Sequence, residues 1–159
     1  MELPLGGGCM CGAVRYEISE VPLRVYACHC TDCQRITGSA FSIGVVVSAD
    51  AFRATGKDRV LAPPIIAASG RTKRPGICPD CGVWLFDAPR TSTSFPGLVR
   101  VVRGGTFDDT GWIVPTIHYW TRSAQKWVAL DGIRYETQPD DLATRSHGYS
   151  RTSRDTATS

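Results

Sequence analysis

Apolar and polar residues alternate with a period of two in a series of short stretches, at residues 13–18, 23–27, 40–47, 59–61, 65–69, 83–86, 98–103, 112–118 and 133–135. Successive side chains of a strand point to opposite faces, so this pattern predicts strands with one buried side each. Gly, Pro, Ser and Asp separate the stretches and supply the turns, with Pro63-Pro64 and residues 91–97 the clearest connections. Only residues 32–36 read as helical, over about one turn. No repeat or linker divides the series. The expected fold class is all-β, a single domain over residues 1–138 with a tail over 139–159. That tail is rich in Asp, Ser, Thr and Arg, and Leu142 and Tyr149 are its only large apolar residues. Burial of so little cannot offset the entropy of ordering the segment, so it is expected to be mobile.

A chain of 159 residues is long enough for one hydrophobic core and short for two. No apolar run reaches the roughly 20 residues of a membrane helix, and residues 1–8 lack the basic start, apolar stretch and cleavage site of a secretory signal. A cytoplasmic protein without membrane contact is expected, and in a reducing cytosol its cysteines persist as thiols. The formal charge of +3 belongs to protonated thiols. With seven thiolates and two bound zinc ions it falls to about zero, which speaks against a nucleic-acid surface. The basic excess is local: between residues 71 and 103, Arg71, Lys73, Arg74, Arg90, Arg100 and Arg103 face only Asp80 and Asp87. A patch of that size suits a small anionic ligand better than a phosphate backbone.

All seven cysteines lie in three clusters, Cys9-Met10-Cys11-Gly12, Cys28-His29-Cys30-Thr31-Asp32-Cys33 and Cys78-Pro79-Asp80-Cys81-Gly82. An odd count in spaced pairs reads as metal ligation rather than disulfides. Cys9, Cys11, Cys78 and Cys81 make a four-thiolate set, which closes a tetrahedral zinc site. Cys28, Cys30 and Cys33 make a three-thiolate set, which leaves a position open, as catalytic zinc sites do. Glycine after each pair of the first set lets the backbone curl under the metal. The second set carries about one net negative charge with zinc and favours capture of an incoming thiol over generation of hydroxide. Three alternatives stand beside this reading: a closed site completed by His29 or His118, a redox-sensing thiol cluster, and a binding module in which zinc only stabilises a surface for a protein partner. Arg35, Arg71, Lys73, Arg74 and His118 are the candidate substrate-binding residues, and Trp112, Trp120 and Trp127 are candidate pocket walls. A homo-oligomer is compatible with all of this.

The succession from Gly8 to Tyr16, the run Cys28-His29-Cys30-Thr31-Asp32-Cys33-Gln34-Arg35 with Gly38-Ser39-Ala40-Phe41, Ser69-Gly70 before the Cys78 knuckle, and His118-Tyr119-Trp120 with Trp127 resemble the glutathione-dependent formaldehyde-activating enzyme family, which also includes centromere protein V. The resemblance implies a Mss4-like fold of small twisted sheets around zinc. It implies a structural metal at Cys9, Cys11, Cys78 and Cys81, a catalytic one at Cys28, Cys30 and Cys33, and carbon–sulfur lyase chemistry joining glutathione to formaldehyde. Met10, Ile77 and Val83 depart from the family pattern, which bears on the exact thiol rather than on the fold.

Overall fold

The computed structural model describes residues 1–57, 60–129 and 131–139. The predicted tail lies outside the described residues except for Pro139, and so does Arg59 at the head of the predicted strand 59–61. The described elements are β1 (Leu5–Gly8), β2 (Val14–Ile18), β3 (Arg24–Cys28), α1 (Thr31–Thr37), β4 (Ser42–Ser48), β5 (Phe52–Gly56), β6 (Val60–Leu61), β7 (Ile65–Ile66), β8 (Thr72–Lys73), β9 (Pro75–Ile77), β10 (Trp84–Asp87), β11 (Arg90–Thr91), β12 (Leu98–Arg103), β13 (Ile117–Tyr119) and β14 (Ile133–Tyr135). The fold is therefore mostly β with one short helix. β1, β2 and β5 form one sheet. The large sheet runs β14-β13-β3-β4-β12-β10-β9-β6 with β11 beside β12, and β7 and β8 make a separate pair. Strands pair antiparallel except at the β3 edge, where β13 and then β14 add in parallel.

The alternation in 98–103 and 133–135 appears as β12 and β14 at those residues. Of the stretch 112–118 only the end enters a ladder, as β13, because Pro115 lacks the N–H a strand interior needs and Trp112 turns inward, edge-on to Phe107. β1 carries no alternation at all, being Leu-Gly-Gly-Gly. Gly7 is required by Tyr16, whose ring lies across the strand: a Cβ there would collide with the ring and stand 2.6 Å from the Thr106 carbonyl oxygen, while a Cβ on Gly8 would stand 2.7 Å from the Val14 carbonyl oxygen. Gly7→Ala is expected to destabilise the protein by about 1–3 kcal/mol through overpacking, read as a lower urea midpoint at unchanged slope.

The main core lies between the two larger sheets, where Val14, Tyr16 and Ile18 meet Val45, Val47, Leu85, Phe86 and Val102. The opposite face of the large sheet gathers Val46, Val99 and Val101, with Tyr26 and Phe95 packed against them. β4 and β12 are thus covered on both sides, which is why they read as near-continuous valine. β3 divides its side chains between the same two faces. Val25 enters the main core, while Arg24, Tyr26 and Cys28 share the other side at alternate positions. Among the described residues no helix is long and apolar enough to cross a membrane.

Candidate metal centres

Two turns of matching construction bring the four-sulfur set together. Past β1 the Cys9 N–H donates to the Val14 carbonyl, and past β9 the Cys78 N–H donates to the Val83 carbonyl, both at 3.0 Å. Gly12 and Gly82 close the turns by donating to the carbonyls of Cys9 and Cys78, at φ of 76° and 73°, a region that a Cβ disfavours. The Sγ atoms of Cys9, Cys11, Cys78 and Cys81 all lie within 4.8 Å of one another. Cys9 and Cys11 are 3.5 Å apart and Cys11 and Cys78 3.7 Å. Sulfurs at the corners of a tetrahedron with metal–sulfur bonds of about 2.3 Å stand about 3.8 Å apart, so the donor set fits zinc. The Val14 N–H adds a 3.2 Å hydrogen bond to Cys9 Sγ, which offsets thiolate charge.

The three-sulfur set is built at the junction of β3 and α1. Cys28 is the last residue of β3, Cys30 caps the helix, and Cys33 sits one turn in, so that its N–H donates to Cys30 Sγ at 3.4 Å. Gly38 ends the helix in the left-handed conformation. Gln34 Nε2 donates to the carbonyls of His29 and Ser123, fixing the turn. Cys28 Sγ and Cys30 Sγ are 3.5 Å apart, and all three sulfurs lie within 4.8 Å. Among the described residues no His, Asp or Glu joins them as a fourth ligand.

The two histidines face each other instead. His29 is fully buried, and its Nε2 lies 3.0 Å from His118 Nδ1, while His118 Nε2 lies 3.0 Å from the Asp131 carbonyl oxygen. A carbonyl only accepts, so His118 carries its proton on Nε2 and accepts on Nδ1 from His29. The pair ties the cysteine turn to β13. Burial, and then His118, hold His29 below the ordinary imidazole range.

Cys28 and Cys33 open onto a cavity of about 300 Å³ whose wall includes Arg71, Lys73, Arg74, Arg90 and Arg103. Lys73 Nζ lies 3.9 Å from Cys33 Sγ. Arg103 is anchored, donating to Ser42 Oγ at 3.0 Å, pairing with Asp87 at 3.5 Å and lying over the Trp84 ring. Of the candidate substrate-binding residues, the fold brings Arg71, Lys73 and Arg74 to this cavity. Arg35 points outward on α1 and pairs with Asp32 at 3.8 Å, and His118 is buried behind the cysteines. Tyr26 also lines the cavity and was not singled out by the sequence, whereas Arg90 and Arg103, part of the basic excess between residues 71 and 103, reach the same wall. The period-two spacing of Tyr26 and Cys28 was the available signal. Trp120 borders a smaller cavity on the Cys30 side, Trp112 belongs to the core and Trp127 is exposed.

Crowded sulfurs share protons unequally. Cys30 is drawn down to about 2, chiefly by Cys28 and then Cys33, which donate to it. Cys28 is driven far up by Cys30, Cys33 and burial. In Cys33 the lowering by Cys28 is outweighed by Cys30 and burial, and the thiol is raised. In the other set, burial raises Cys9, but the Val14 N–H and the neighbouring thiols bring it to about 6, while in Cys11 the lowering by the Ala13 backbone is outweighed by Cys9, burial and the other thiols and the thiol is pushed up to about 12. A raised thiol keeps its proton at neutral pH, and a metal must displace it, so affinity rises with pH and falls as pH drops. Acidification is expected to release metal from Cys28, Cys30 and Cys33 at a higher pH than from the four-sulfur set, which has one more bond to break. A chromophoric chelator followed against pH would show two separate release steps.

A β domain with a closed four-sulfur clasp and an open three-sulfur cluster beside a basic cavity defines a protein whose two cysteine sets can each hold a metal ion. The family model described as glutathione-dependent formaldehyde-activating enzyme matches residues 4–123, and the chain belongs to that family. A Penicillium rubens protein is 33% identical over 109 residues, covering 67% of this chain and 55% of that protein. One from Phaeosphaeria nodorum is 31% identical over 107 residues, covering 67% and 54%. Both are named provisionally as glutathione-dependent formaldehyde-activating enzymes, and the chain spans about half the length of these curated relatives. A crystal structure of a Rhodobacter sphaeroides protein aligns at 17% identity with a TM-score of 0.47, over 65% of this chain and 87% of that one.

Proposed function

We propose that the chain is a zinc-dependent carbon–sulfur lyase of Mss4-like fold, acting in a reducing cytoplasm on a thiol–aldehyde adduct of the S-hydroxymethylglutathione kind. The observation that carries this reading is the cluster of Cys28, Cys30 and Cys33, open on one side to a cavity lined by cations. Cys9, Cys11, Cys78 and Cys81 would hold a structural zinc, and Cys28, Cys30 and Cys33 a second one that meets substrate. Bound there, zinc supplies the charge that keeps an incoming thiol deprotonated and still nucleophilic.

The part of the protein is to bind and orient. In the cleavage direction the adduct hydroxyl gives its proton to solvent, its O–H electron pair becomes the second bond of the carbonyl, and the carbon–sulfur pair leaves with sulfur. Negative charge grows on sulfur in that step. Lys73 Nζ, beside Cys33 Sγ, offsets that charge where it appears. Arg71 and Arg74, on the same wall, would hold carboxylates of the thiol and fix its direction. The names of the relatives support glutathione and formaldehyde as thiol and aldehyde.

The test is a cobalt-substituted protein titrated with glutathione, alongside thiol-dependent turnover of formaldehyde. A shift of the visible bands together with turnover is the expected result. Bands indifferent to thiol would defeat the reading.

A further inference from the structure

The cysteine cluster has a second open side. Cys28 and Cys33 line the basic cavity, but Cys30 lines a separate chamber of about 170 Å³, set between the start of α1, the turn that joins β7 to β8 and the segment after β13. Lys73 belongs to both walls. The character of the second chamber is different. Its carboxylate, Asp32, is engaged by the Ala68 N–H at 2.8 Å and by Arg35 at 3.8 Å. Ser123 Oγ donates to the carbonyls of His29 and Trp120. Of its two cations, Lys73 is turned toward Cys33 Sγ, and Arg122 lies 4.9 Å over the Trp120 ring. What the walls still offer a guest is mostly apolar: the Ala67 and Ala68 methyls and the Trp120 indole.

The walls are fixed by the same bonds that fix the cysteine turn. Trp120 stands at φ 61° and ψ 40°, and among the described residues it is the one non-glycine residue at positive φ. A bulky residue in that region is strained and persists only where its surroundings hold it. Here the His29 N–H donates to the Tyr119 carbonyl at 2.9 Å, the Ser123 N–H to the Trp120 carbonyl at 3.1 Å, and Gln34 Nε2 to the Ser123 carbonyl at 2.9 Å. The bond from Ala68 to Asp32 pins the opposite wall to α1. The chamber is thus held in shape from both sides. Its size suits a single ring, since an apolar cavity of about 150 Å³ takes benzene.

We propose that this chamber receives the substituent on the carbonyl carbon, and that the preferred aldehyde carries an apolar group the size of a branched chain or a single ring. This rests on the reading that thiol and aldehyde meet at Cys28, Cys30 and Cys33, and it deepens that reading in the aldehyde. Formaldehyde has only hydrogen on its carbon and leaves the chamber unfilled. The bond chemistry is unchanged. In adduct formation the thiol releases its proton, a sulfur electron pair makes the carbon–sulfur bond, the second carbonyl pair moves to oxygen, and oxygen takes a proton from solvent. Trp120 and Ala68 set specificity and take no part in those bonds.

The test uses the zinc-loaded full chain. Adduct formation with glutathione is followed for formaldehyde, isovaleraldehyde and benzaldehyde, and each kcat/KM is divided by the uncatalysed rate constant for the same aldehyde. The quotient is expected to rise at least about tenfold from formaldehyde to the two larger aldehydes, since one methylene in a hydrophobic pocket is worth about 10–200-fold. Ala68→Phe, at an exposed turn position, puts a ring into the chamber and should lower the benzaldehyde-to-formaldehyde ratio at least about tenfold. Trp120→Gly keeps the backbone, because glycine takes positive φ freely, and should lower the same ratio by loss of the wall. A readout independent of turnover is NMR titration with benzyl alcohol, which has the ring and hydroxyl of an adduct and no thiol to release. The Trp120 indole N–H resonance, identified by its absence in Trp120→Gly, should move in wild type and stay still in Ala68→Phe. A flat series, or a resonance that ignores benzyl alcohol, would overturn the role of the chamber. Benzyl alcohol binding that Ala68→Phe abolishes, without turnover of any aldehyde, would defeat the lyase reading and with it the aldehyde as guest. Turnover of formaldehyde with a flat series and a still resonance would leave the lyase reading standing and remove this inference.

Discussion

Cys30→Ser is expected to leave a folded protein that carries one metal ion per chain in place of two and has lost its thiol-dependent turnover. The serine hydroxyl can still cap α1, since Ser is among the best residues at that position, and the hydrophobic core does not include Cys30. Stability should therefore change little. The metal is another matter, because a neutral hydroxyl is a far poorer ligand for zinc than a thiolate, and a three-donor site has no ligand to spare. Altering groups that merely support a metal ligand costs about 10–100-fold in affinity or activity, so losing a ligand itself should exceed the upper figure. Metal analysis and turnover on the same sample check both halves. A mutant that kept two ions and full activity would show that the cluster is not the reaction centre.

Cys78→Ser should fail in the opposite way, by loss of the fold. Cys78 is 1% exposed and sits in the main core, and its sulfur faces that of Cys11 across 67 residues of chain. The clasp joins the turn between β1 and β2 to the turn between β9 and β10, across the two sheets that enclose the core. Structural zinc in small peptides contributes about 10–16 kcal/mol of apparent folding free energy, while a whole domain retains about 5–15 kcal/mol. Even a fraction of the first figure is comparable to the second. The expected outcome is insoluble protein, or soluble protein without a cooperative thermal transition. A strong chelator should reproduce the two phenotypes in order, silencing turnover first and melting the domain later. Native melting of Cys78→Ser would refute the structural role.

The cysteine spacing made the three clusters legible, because ligands close in sequence share a turn, and the division into four sulfurs and three followed from count, since two spaced pairs together supply the four thiolates of a closed site. The glycines at 12 and 82 were legible for the same local reason. The basic excess at 71–103 was visible as charge, but not its destination. Arg71, Lys73 and Arg74 adjoin the Cys78 knuckle in sequence, yet they line the cavity of the other cluster. β8 pairs with β7, and the Ala68 N–H in the turn between them donates to Asp32 Oδ2 of α1 at 2.8 Å. The meeting of His29 with His118 is likewise a product of the parallel β3–β13 pairing, which no local pattern announces. β1 was invisible because its pairing depends on the absence of side chains under Tyr16 rather than on any alternation.

By itself, then, the sequence determined the strand-rich class of the fold, the two sets of sulfur donors and the local excess of positive charge, since each is written in residue type, count and spacing. Tertiary structure alone decided which cations face the open cluster, that both histidines turn away from it, and that Trp120 borders a second cavity on the Cys30 side. Those facts depend on which distant strands pair and in what register, and pairing is settled by burial over the whole chain rather than by any one stretch of it.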